Sequence, residues 1–103
     1  MCIRDSSYGA AKGGVLQLTR AMAEAWSRFG VTANALAPGF FPTELTAPLF
    51  ADEAAAQRLA DCTAMGRNGA LEDMRGPLLF LASNASGYVT GQSIAVDGGF
   101  TAK

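Results

Sequence analysis

The sequence has 103 residues, 50% of them hydrophobic and 17% charged, with a formal net charge of −1; that length makes one domain or less, with a modest core. It holds no basic run of the kind that binds nucleic acid or an anionic membrane surface, and no apolar stretch of the roughly 18 residues that a membrane span needs. No leading signal segment is visible either, so a soluble, cytoplasmic protein without nucleic-acid or membrane partners is expected. Histidine is absent, which excludes Ser-His and Cys-His catalysis and argues against a zinc or other metal site. Cys2 and Cys62 form no ligand pattern and are expected to be free thiols. Acid-base chemistry is left to tyrosine, lysine and carboxylates.

Residues 7–29 have the periodicity of one long helix. Ala11, Val15, Leu18, Met22, Ala25, Trp26 and Phe29 fall on one apolar stripe, which predicts a helix packed on a core. The opposite face interleaves charged residues with Ala10, Gly14 and Ala21, small enough for a second helix to approach, and suggests a subunit contact. Gly30 supplies the C-terminal stop. Tyr8 and Lys12 stand four residues apart at the stripe's edge, where Cβ atoms lie roughly 5–6 Å from each other. A phenol alone titrates near about 10, and a cation at about 4 Å contributes on the order of 4 kcal/mol towards the phenolate, enough to make it a general acid or base. By spacing alone the pair also describes a surface tyrosine beside a solvated lysine. Its place on the stripe turns it towards the interior or a cleft.

Residues 31–36 are uncharged and β-branched at their start, the pattern of a strand buried on both faces, ended by Pro38 and Gly39. A helix feeding such a strand through a tight turn makes the class α/β with a mainly parallel sheet. Ligands of open α/β sheets bind beyond the carboxyl ends of strands, where residues 38–43 lie; a plain proline-glycine turn is the alternative. Residues 44–65 are alanine-rich and helical in pattern, divided by Pro48, with Asp52 as the cap of the longer piece. The shorter piece, carrying Leu45, Leu49 and Phe50, is either a lid over substrate or surface packing. A turn over residues 67–69 leads to a helix over 71–83, with a kink expected at Pro77. A strand after a turn at Gly91 and a turn over residues 97–99 complete the chain.

Six groups of residues in order, Tyr8-x-x-x-Lys12, Gly13-Gly14, Asn34-x-x-x-Pro38-Gly39 with Thr43, Phe80-Leu-Ala-Ser83, Val89-Thr-Gly91 and Val96-Asp-Gly-Gly99, closely resemble the C-terminal half of the classical short-chain dehydrogenase/reductase family. The resemblance covers about residues 7–103 and implies the C-terminal half of a Rossmann-like, doubly wound parallel sheet, with residues 7–103 part of a single domain. It implies hydride transfer between NAD(H) or NADP(H) and a small-molecule alcohol or carbonyl. Tyr8 would be the acid/base, and Lys12 would depress its pKa and hydrogen-bond the nicotinamide ribose. The loop of Pro38, Gly39, Phe40 and Phe41, through its backbone groups, and the Thr43 hydroxyl would hold the nicotinamide carboxamide. The helix after the tyrosine would pack between subunits of a homodimer or homotetramer.

The family's glycine-rich pyrophosphate turn and its NNAG segment have no counterpart in these residues. Its catalytic serine lies about thirteen residues before the tyrosine, so Ser6 and Ser7 stand too close to serve. Residues 1–6 do not resemble the family and are expected to be a leader or a translated artefact. The sequence is therefore expected to be incomplete, short of roughly 150 preceding residues, and inactive by itself. Residues 39–48, 66–69 and 71–73 look most like a gluconate 5-dehydrogenase-like branch that oxidises a sugar-acid hydroxyl. The alternatives are a 3-oxoacyl-carrier-protein reductase-like activity or, for these 103 residues alone, a non-catalytic assembly module.

Overall fold

The structure is a computed structural model that describes residues 6–102 and, for Ser6 and Tyr8, the backbone alone. Most of the expected leader and Cys2 lie outside the described residues. The chain divides into two compact units, one made of residues 6–36 and 77–94, the other of residues 37–76 and 95–102.

In the first unit, helix α1 (Ser6–Trp26) runs into a 3-10 turn over Ser27–Phe29. Gly30 closes it with φ 84° and an N–H donated to the Ser27 carbonyl at 3.0 Å. This left-handed position is where the absent Cβ matters. The helix and its stop are as expected, but the buried face is not. Val15, Leu18, Trp26 and Phe29 are 50, 59, 47 and 76% exposed, whereas Thr19 and Ala23 are buried. Thr19, Ala23 and Ser27 follow at four-residue steps and share a face. A Cβ built on Gly91 would stand 3.3 Å from the Ala23 methyl, so a glycine there lets the chain run close against this face. The Ser27 and Thr90 hydroxyls are hydrogen-bonded at 2.8 Å. The apolar stripe exists as a pattern, but of its larger residues only Met22 is half-buried.

Strand β1 (Ala35–Pro38) pairs with β2 (Ser93–Val96) in a two-stranded sheet. Ala33 accepts from the N–H of Gly91, Ala35 donates to Gln92 and Gly39 donates to Val96. Partners advance in the same direction along both strands, so the pair is parallel. The predicted strand over residues 31–36 is displaced by several residues. Apart from the Ala33 carbonyl, the backbone before Ala35 is held by side chains: Thr90 Oγ1 accepts from Ala33 N–H at 3.2 Å. Asn34 donates through Nδ2 to the Val89 carbonyl at 3.0 Å, and its Oδ1 accepts from Gln92 N–H at 3.1 Å. Pro38 is tolerated because it is the last strand residue, where the missing N–H costs one terminal bond. The strand expected over residues 31–36 was to be buried on both faces; in β1, Ala35 and Leu36 are half-buried and Ala37 and Pro38 exposed.

The second unit carries α2 (Ala47–Ala51), α3 (Glu53–Asp61) and the start of α4 (Glu72–Leu81). Pro48 sits in the first turn of α2, and the division falls at Asp52, whose carboxylate caps α3 by accepting from Ala54 N–H at 3.0 Å. Pro77 lies inside α4 without ending it. The predicted turn at residues 97–99 is present, with φ 61° at Gly98 and 85° at Gly99. Asp97 accepts from Gly99 N–H and from the N–H and hydroxyl of Thr101. Those bonds, the Thr101 hydroxyl first, hold its carboxyl below the usual carboxylate range. No described helix is long and apolar enough to cross a membrane.

Candidate functional site

The sequence-predicted site residues fall on two elements. Tyr8 and Lys12 lie one turn apart on α1, in the first unit. The Tyr8 side chain is outside the described residues, and Lys12 is exposed. Pro38, Gly39, Phe40, Phe41 and Thr43 belong to the second unit, where Pro38 ends β1 and the rest form the loop leading to α2.

That loop is fixed at four points. Gly39 donates its N–H to the Val96 carbonyl at 2.9 Å, and the Phe40 carbonyl accepts from Gly69 N–H at 2.8 Å. The Phe41 carbonyl accepts from the Thr46 hydroxyl at 2.9 Å, and Thr43 donates its N–H to Thr46 Oγ1 at 2.8 Å. Two glycines permit this seating. A Cβ on Gly39 would stand 2.7 Å from Asp97 Cα, and one on Gly69 would stand 2.5 Å from Phe41 Cε1. Phe41 is only 8% exposed, while Phe40 makes an edge-on contact with Phe100 at 5.2 Å between centroids. The Phe40–Phe100 contact and the buried Phe41 anchor the loop. The N–H groups of Phe40 and Phe41 have no hydrogen-bond partner among the described residues.

Beside the loop is an open cleft of about 460 Å³, lined by Phe40, Phe41, Met65, Arg67 and Asp97 among others. Its charges are largely satisfied from within. Arg67 grips Asp73 with both terminal nitrogens, at 2.9 and 3.2 Å, and Asp73 also accepts from Ala70 N–H at 2.8 Å. The Arg67 hydrogen bond, followed by that of Ala70, lowers the Asp73 carboxyl to about 2. A guanidinium already held in a two-point grip is not a free clamp for a substrate carboxylate. The arrangement instead closes the turn at residues 67–70. Thr63, which is buried, holds the other side of that turn by accepting from the N–H groups of Gly66 and Arg67.

Thr46 and Gly69 were not singled out by sequence reasoning. A visible signal existed for Thr46 alone: two hydroxyl residues three apart just before a helix, which can bond each other and the local backbone. Gly69 becomes meaningful only once the Phe41 ring is seated against it.

A family model described as Enoyl-(Acyl carrier protein) reductase matches residues 3–101. The chain belongs to the short-chain dehydrogenase/reductase family. Relatives within it include a 2-dehydro-3-deoxy-D-gluconate 5-dehydrogenase of Escherichia coli, 46% identical over 101 residues, 98% of this chain and 40% of the relative. A gluconate 5-dehydrogenase of Gluconobacter oxydans is 48% identical over 94 residues, 91% of this chain and 37% of that one. Among solved structures, a gluconate 5-dehydrogenase from Burkholderia cenocepacia in complex with NADP and tartrate superposes with a TM-score of 0.91 at 43% identity. That superposition covers 99% of this chain and 41% of the other. The short-chain dehydrogenase/reductase match thus takes in both units, while the chain spans about 40% of the length of the curated relatives it matches.

Proposed function

We propose that these residues form the proton-transfer and nicotinamide-binding part of an NAD(P)-dependent oxidoreductase that interconverts a secondary alcohol and a carbonyl, with a sugar-acid hydroxyl as substrate. The observation that carries the reading is Tyr8 and Lys12 one turn apart on α1 in a chain that belongs to this family. The sugar-acid substrate is supported by the gluconate dehydrogenases among the relatives. It is supported too by the hydroxy acid, tartrate, that accompanies NADP in the Burkholderia enzyme. In this reading these residues touch only the nicotinamide end, which NAD and NADP share.

The braced loop fits such a cofactor: the N–H groups of Phe40 and Phe41 stand ready as donors, and the Thr43 hydroxyl sits two residues on. The cofactor, when bound, accepts or supplies the hydride. The Tyr8 phenol takes the proton from the alcohol oxygen in one direction and returns it to the carbonyl oxygen in the other. The Lys12 ammonium favours the phenolate that must form and donates to the nicotinamide ribose hydroxyls. The catalytic serine and the glycines that seat the pyrophosphate come from chain outside these residues, and residues 7–103 belong to one domain with it. In the complete enzyme, a cytoplasmic homodimer or homotetramer, the apolar stripe of α1 is covered.

The deciding experiment is Tyr8→Phe in the complete enzyme. Turnover of a sugar-acid substrate should fall by about 10²-fold or more, while the cofactor dissociation constant stays within about threefold. A variant that keeps a near-normal rate refutes the acid/base assignment. A wild type that oxidises no gluconate-class hydroxyl but reduces a 3-oxoacyl thioester refutes the substrate alone.

A further inference from the structure

Thr46 holds the most hydrogen-bonded hydroxyl of the candidate loop. Its Oγ1 lies 2.9 Å from the Phe41 carbonyl, 2.8 Å from Thr43 N and 3.1 Å from Thr43 Oγ1. A hydroxyl has one proton and two acceptor lone pairs. The Phe41 carbonyl can only accept, so the Thr46 proton goes there. The Thr43 N–H can only donate, so it takes one Thr46 lone pair. The second lone pair then faces the Thr43 hydroxyl, which must be the donor of that contact. The Thr46 N–H, 3.3 Å from Thr43 Oγ1, donates to it in turn. The alternative for the Thr46 proton, the Thr43 carbonyl at 3.5 Å, is at the limit of a hydrogen bond and loses to Phe41.

From this we infer that Thr46 is a positioning residue that sets the direction of the Thr43 hydroxyl. With its proton committed to Thr46 and one lone pair to the Thr46 N–H, Thr43 Oγ1 offers a single acceptor lone pair outward and no donor. Four residues of loop thus present N–H donors at Phe40 and Phe41 and, at Thr43, an acceptor. That polarity matches a primary carboxamide, which has a carbonyl to receive and an NH₂ to give. It rejects a group of the same shape that has no N–H. The inference rests on the reading of the loop as the nicotinamide site.

The test compares NAD(P)⁺ with its 3-acetylpyridine analogue, in which a methyl replaces the NH₂, on the complete enzyme. The matching ADP-ribose, which lacks the nicotinamide altogether, is the control. The wild type should bind the carboxamide cofactor about tenfold more tightly than the analogue, one neutral hydrogen bond's worth. Thr46→Val frees the Thr43 hydroxyl to rotate and should erase that preference while leaving ADP-ribose affinity within about twofold. Thr46→Ser keeps the hydroxyl and should restore it. Thr46→Val that keeps the full preference overturns the inference, as does one that weakens ADP-ribose equally, which would mark a general loss of structure. A wild type that binds ADP-ribose but shows no preference overturns the assignment of the loop itself, and one that binds no dinucleotide overturns the proposed function.

Discussion

Gly69→Ala tests how tightly the candidate loop is seated. A methyl at this position would meet Phe41 Cε1, Cζ and Cδ1 at 2.5, 2.6 and 2.8 Å, where ordinary contacts begin near about 3.5 Å. The ring would have to retreat by about 1 Å. It has little freedom to do so, because the ring is buried, its own carbonyl is bound by Thr46, and the preceding carbonyl is bound by Gly69 itself. Overpacking of this kind costs about 1–3 kcal/mol. With an m-value of roughly 2 kcal/mol/M, the urea midpoint of the complete enzyme should fall by about 0.5–1.5 M without a change in slope. The double-mutant cycle isolates the cause. In a Phe41→Leu background the offending ring atoms are gone, and Gly69→Ala should then cost less than about 0.5 kcal/mol. An equal cost in both backgrounds would refute the steric argument.

Gly39→Ala should be as harmful for a different reason: the new Cβ would meet Asp97 Cα at 2.7 Å, a backbone atom that cannot swing aside. We expect a loss of about 2 kcal/mol or more in the same denaturation assay, and a variant within about 0.5 kcal/mol of wild type would contradict it. Asp73→Asn should lower the melting temperature at neutral pH, with a gap that closes in acid. The folded carboxyl titrates at about 2 and an unfolded one near about 3.9. Its contribution is therefore complete above about pH 4 and lost as pH falls through about 2. A gap unchanged between pH 6 and pH 3 would speak against the Arg67 pairing as its source.

The sequence predicted best where one residue's own chemistry decides the outcome. Gly30 ends α1 because it alone there takes a left-handed conformation cheaply, and Asp52 starts α3 because its carboxylate satisfies a helical N–H. Strand β1 was misplaced because Val31 and Thr32 have strand propensity, whereas the ladder is set by Thr90 and Asn34 bonds spanning 55 to 58 residues. The α1 stripe failed differently. Periodicity says which face of a helix is apolar, not whether the cover belongs to the same stretch of chain. Val15, Leu18, Trp26 and Phe29 are exposed.

The residues that carried the resemblance divide into two kinds once their bonds are known. Asn34, Thr90, Gly91, Asp97, Gly98 and Gly99 are occupied in holding turns and strand entries. Gly39 is likewise spent on the sheet and on clearance from Asp97. Most of the recognisable pattern therefore specifies the scaffold, which is why the match identifies the family more sharply than the substrate. In the proposed function, chemistry falls to Tyr8 and Lys12 on α1 and to the loop from Phe40 to Thr43. Leu45, 91% exposed, and the half-exposed Leu49 stand directly after Thr43, on the segment whose start Thr46 ties to the loop. A shift of this apolar segment would move Thr46 and, through it, the Thr43 hydroxyl.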